Sequence, residues 1–116
     1  MNKYVVLLST PASVMAEWNA KTSPEERQKA MGDMMQQWKA WEEKHKASIK
    51  DSGSPLGKTK RVMKSGITDT KNDLNYFMIV EAESHQAAAE IMKDNPHIAV
   101  IPDSYIEVME VPHMGM

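Results

Sequence analysis

The chain has 116 residues, with 14 Lys and Arg against 16 Asp and Glu, a net charge of −2 and a pI of about 6.1. That balance offers no electrostatic reason to expect nucleic acid or an anionic membrane surface as a partner. The absence of cysteine excludes disulfides, thiolate zinc sites and cysteine nucleophiles, and fits a cytoplasmic protein. No apolar run approaches the ~20 residues of a membrane span, and the length suits a single domain over residues 1–116.

Lys3 to Ser9 is rich in β-branched and aromatic residues and stops at Thr10-Pro11. It predicts a buried central strand rather than a signal peptide. Thr10 or Ser13 then caps a short helical turn, Val14 to Ala20. Ser23 to Ile49 predicts the longest helix. Ser23 at the N-cap, Pro24 at the first helical position and Glu25-Glu26 in the first turn form a strong start, and Glu26 has the capping-box spacing. Met31, Met34, Met35, Trp38, Trp41 and Ile49 make an inward stripe at helical spacing. Arg27, Glu42 and His45 share that stripe. Glu42 and His45 are neighbours on the helix, either snorkelling at its margin or lining a pocket between helix and sheet. The 11 methionines against one Phe read first as core filling.

Gly53 to Gly57 reads as turn. Lys58 to Ser65 follows as a charged second strand in an exposed or edge position, and Gly66 to Asn75 as a polar loop. Tyr76 to Glu83 is a third strand, with Tyr76, Met78, Val80 and Ala82 on one face and Phe77, Ile79 and Glu81 on the other. Ser84 caps a second helix, His85 to Asp94, which Asn95-Pro96 ends. His97 to Asp103 connects to a last strand, Ser104 to Val111, where Ile106, Val108 and Glu110 alternate with Tyr105, Glu107 and Met109. The order β-α-β-β-α-β predicts an α+β, ferredoxin-like fold: an antiparallel four-stranded sheet with both helices on one face. The other sheet face is apolar and uncovered, which predicts a homodimer through that face, a dimeric α+β barrel.

Several motifs fall in a familiar order: Trp38-x-x-Trp41, Gly53-Ser54-Pro55-Leu56-Gly57, Tyr76-x-x-x-Val80 with Glu81-Ala82, Asn95-Pro96-His97-Ile98, Ile106-Glu107-Val108 and Pro112-x-x-Gly115-Met116. Together they resemble the YCII-related family of small dimeric α+β barrel proteins, in particular an uncharacterised subgroup. The family's Asp-Gly-Pro-Phe segment falls near Ser65-Gly66-Ile67-Thr68, where only the glycine is kept. The histidine of the His–Asp pair proposed as catalytic in some relatives has no counterpart in Arg27 to Met31, so that proposal does not carry over.

His97 is the candidate catalytic residue. It follows Asn95-Pro96, matches the family's Pro-His pair, and has an ordinary pKa near ~6.5. The alternative is that its ring locks the turn. Met34, Trp38, Trp41, Glu42, His45 and Tyr76 are the candidate ligand-binding residues of a helix–sheet cleft. Asp69, Asp73 and Asp103 read as turn formers. No histidine spacing suggests a metal site, and no cofactor fingerprint is present. Two functions follow as expectations: small-molecule binding with His-assisted acid/base chemistry, or a non-catalytic dimeric structural or regulatory module. The sequence leaves open whether the protein is an enzyme.

Overall fold

The computed structural model describes residues 1–112. His113 and the Gly115-Met116 ending therefore lie outside the described residues. The elements are β1 (Asn2–Ser9), α1 (Ala12–Lys21), α2 (Pro24–Lys44), β2 (Ile49–Pro55), β3 (Thr59–Met63), β4 (Gly66–Thr70), β5 (Leu74–Ala82), α3 (His85–Ile91), a 3₁₀ turn (Met92–Asp94), α4 (Pro96–Val100) and β6 (Tyr105–Glu110). An antiparallel four-stranded sheet runs in the order β2-β5-β1-β6. This is the ferredoxin-like arrangement expected from the sequence.

Period-2 alternation decides which way the sheet faces. Tyr4, Val6 and Leu8 of β1 are buried and lie opposite Val80, Met78 and Tyr76 of β5. Ile106 and Val108 of β6 pack against the same core. Trp41, Ala88 and Met92 close it from the helical side. Val5, Leu7, Phe77 and Ile79 occupy the opposite face, half-buried. Ser23 forms the full capping box with Glu26.

The second sheet strand is not the expected one. Ile49–Pro55 fills that place, and Lys58–Ser65 instead contributes β3 to a separate two-stranded hairpin with β4. Asp51, Ser52 and Gly53 look like turn residues because they build a bulge: the β2–β5 register shifts between Asp51 and Ser54. Gly53 has φ 73°, and a Cβ there would lie 1.5 Å from the Phe77 carbonyl oxygen, so only glycine fits. The expected helix end at Ile49 moves back to Lys44, with His45 as C-cap. Part of the expected loop Gly66–Asn75 is β4, and the connector after Pro96 begins as α4.

The inward methionine stripe of α2 is only partly inward. Trp41 is the one buried residue of the helix, and Trp38 packs against the core. Met31 and Met35 stay 53% and 61% exposed. The hairpin is likewise uncovered, with Val62 and Ile67 opposite one another and 74% and 66% exposed. These projections give a radius of gyration of 16.0 Å, against ~13 Å for a compact chain of similar length.

Candidate functional site

A row of four rings runs along the C-terminal half of α2. Tyr76 lies 5.3 Å from Trp38, Trp38 5.7 Å from Trp41, and Trp41 5.2 Å from His45, centroid to centroid. The helix supplies Trp38 and Trp41 and its C-cap supplies His45, at spacings of three and four, which stack residues along one face. Tyr76 joins from β5, whose inward register brings its ring against α2.

A carboxylate stands at each end of the row. Glu42 Oε1 accepts the Trp38 indole N–H at 2.6 Å. Asp94 Oδ1 accepts from the Trp41 indole at 3.1 Å and lies 3.1 Å from His45 Nε2, while its Oδ2 accepts from Lys44 Nζ at 2.6 Å. The Lys44 hydrogen bond, followed by that of His45, lowers the Asp94 carboxyl to about 2. Asp94 is therefore anionic throughout the physiological range and holds the His45 ring by its Nε2. The Tyr76 hydroxyl donates to the Ser52 carbonyl at 2.9 Å. Partial burial pushes this phenol above its usual value, and the nearby Glu42 and Asp51 charges push the same way.

Five expected ligand-binding residues, Trp38, Trp41, Glu42, His45 and Tyr76, thus form one connected cluster. Met34 lies one turn before Trp38 on α2, half-buried. Asp94 is the residue that sequence reasoning missed. It ends a predicted helix, and only the lysine and histidine it bridges, fifty residues away, reveal its part. A cavity of about 320 Å³ opens beside Trp41, Lys44 and Asp94, between α2 and α4.

His97 lies elsewhere. It is 5% exposed, and its Nε2 is 2.9 Å from the Ser9 carbonyl oxygen. Its backbone N–H donates to Asn95 Oδ1 at 2.9 Å. Burial lowers the ring's pKa, opposed by the bond to Ser9. A neutral ring donating from Nε2 to that carbonyl ties the start of α4 to the end of β1. That bond occupies Nε2 within the turn. Asp69 pairs with Lys60 across the hairpin at 2.7 Å, and Asp73 accepts from the Tyr105 hydroxyl at 3.1 Å. Among the described residues no group of three His, Asp or Glu is placed to hold a metal ion.

No family model and no curated protein matches the chain; the resemblance to YCII-related proteins rests on its sequence motifs. Among solved structures the chain is similar to 5-chloro-2-hydroxyhydroquinone dehydrochlorinase from Burkholderia phenoliruptrix in complex with 2,5-dihydroxybenzoquinone, at 19% identity over 92% of this chain and 91% of that one, with a TM-score of 0.47.

Proposed function

We propose that the protein binds a small flat molecule, neutral or cationic, against the Tyr76–Trp38–Trp41–His45 row. The observation that carries this reading is the row itself: Tyr76, Trp38 and His45 are half-buried and present ring surface, Trp41 is buried between them, and Glu42 and Asp94 flank them. Aromatic faces attract flat rings and cations, and the Glu42 carboxylate, which forms no ion pair among the described residues, disfavours anions. His45, oriented through Nε2 by Asp94, is the group we assign to proton exchange with the ligand, in place of His97. Met34 would border the ligand from the preceding turn.

The test is a fluorescence titration of the Trp18→Phe protein, which keeps only the two row tryptophans. Phenethylamine should quench saturably and 3-phenylpropionate should not. Glu42→Gln should weaken the amine about tenfold. Quenching that never saturates, or that is the same in Glu42→Gln and Tyr76→Leu, would refute the site.

The far side of the sheet favours a second, compatible reading. Leu7 pairs with Phe77, and Val5 with Ile79 and Met109, in one apolar patch that no element among the described residues covers. We assign this face to a second copy, giving a homodimer. Sedimentation velocity should find a dimer that Met109→Lys dissociates. If the dimer forms but the ring row binds nothing, the protein is a non-catalytic module.

A further inference from the structure

A larger cavity lies away from the ring row, where α1 and the hairpin face each other. Its volume is about 840 Å³, within the ~300–1,000 Å³ of small-molecule sites. Thr10, Leu74 and Asn75 line it from the sheet end, Met15 and Asn19 from α1, and Lys58, Lys60 and Lys71 from the hairpin.

Three observations bear on what it holds. Residues 58–71 carry five Lys and Arg against one Asp, a net of +4 in a chain whose total is −2, so the rest of the chain carries −6. This segment is thus a net-positive part of an acidic chain, and Lys58, Lys60 and Lys71 of it line the cavity. Lys60 is neutralised by its cross-strand partner Asp69, whereas Lys58 and Lys71 form no ion pair among the described residues. Finally, Asn75 Oδ1 is buried without a hydrogen-bond partner, an arrangement that costs stability unless something donates to it.

The hairpin root is fixed on the sheet side. Thr10 N–H donates to the Asp73 carbonyl at 2.9 Å, Leu56 N–H to the Asn75 carbonyl at 2.8 Å, and Leu74 N–H to Asn72 Oδ1 at 3.0 Å. The two free lysines therefore flank a floor of set shape.

We propose that this cleft binds a small hydroxylated anion, a phosphate or carboxylate that carries at least one hydroxyl. The anionic group sits between Lys58 and Lys71, and the Asn75 side chain turns so that its Oδ1 accepts from a ligand hydroxyl. The site is separate from the ring row and takes ligands of the opposite charge.

The experiment is an NMR titration of the ¹⁵N-labelled full chain with glycerol 3-phosphate, with sulfate and glycerol as comparators. Saturable amide shifts should appear at 57–60 and 71–75 with glycerol 3-phosphate. Sulfate should bind more weakly and glycerol not at all. Lys58→Gln/Lys71→Gln should cut the affinity about tenfold. Both positions are exposed, so the fold should be kept. Asn75→Ala should remove the preference for glycerol 3-phosphate over sulfate. No saturable shift with either anion, or shifts unchanged in the double variant, overturns the site. In either event, amine quenching at the ring row should be unaltered, so failure of one site is distinguishable from failure of the other.

Discussion

The chain builds two antiparallel assemblies from the same kinds of backbone ladder, and they end in opposite states. The four-stranded sheet buries Tyr4, Val6, Leu8, Met78 and Val80 to 2% exposure or less. The β3–β4 hairpin pairs five residues on each side in unbroken register, yet leaves Val62, Met63 and Ile67 between 58% and 74% exposed. Both are held by antiparallel backbone ladders. The difference is what covers the side chains: apolar burial in the sheet supplies stability, while the hairpin leaves its side chains to solvent.

The sharpest way to break that contrast is at Gly53. Gly53→Ala should cost about 3–5 kcal/mol in urea denaturation, because the new methyl group meets the Phe77 carbonyl and the φ of 73° is strained for any side chain. Met78→Ala, in the sheet's core, should cost about 2–5 kcal/mol. Val62→Ala, in the hairpin, should stay within about 0.5 kcal/mol. Equal losses at the two positions would mean that the hairpin is covered in solution.

Asp94 and His97 sharpen the picture through pH. Asp94→Asn should cost about 1 kcal/mol, since the side chain is 43% exposed and water screens its pairs. The Asp94 carboxyl is lowered from an ordinary 3.8 to about 2. Its contribution is thus complete above the unfolded value and disappears as pH falls through about 2. Acid unfolding should begin at higher pH in the variant. His97 is also depressed, by burial. The unfolded chain takes up its proton near pH ~6.5 while the native ring resists it. Stability from His97 is therefore present above that pH and falls as the solution is acidified towards the folded value. Melting temperature should decline between pH 7 and 5, and His97→Gln should be the flatter protein, at a cost of about 1 kcal/mol.

Much of this was legible in the sequence where one signal had one meaning. Ser23-Pro24-Glu25-Glu26 encodes a helix start that no tertiary contact overrides. The continuous apolar run from Tyr4 to Leu8 announces a central strand, and β1 lies between β5 and β6. The helical spacing of Trp38, Trp41, Glu42 and His45 already placed them together. Legibility failed where local chemistry serves a distant partner. Asp51-Ser52-Gly53 has the composition of a turn, and only the approach of Phe77 makes it a bulged strand. Lys58 to Ser65 has the alternation of a sheet strand, but it pairs with its own neighbour. Asp94 and Asn75 are ordinary polar residues until the fold gives one three donors and leaves the other with none.

The ring row has an optical consequence. Two indoles 5.7 Å apart with planes tilted by 53° do not absorb as independent chromophores. Their excited states mix, and because the pair is held at one handed angle, the mixing produces a paired positive and negative band in circular dichroism. The protein thus carries a built-in reporter of a single inter-ring angle, silent when Trp38 or Trp41 is replaced and indifferent to Trp18.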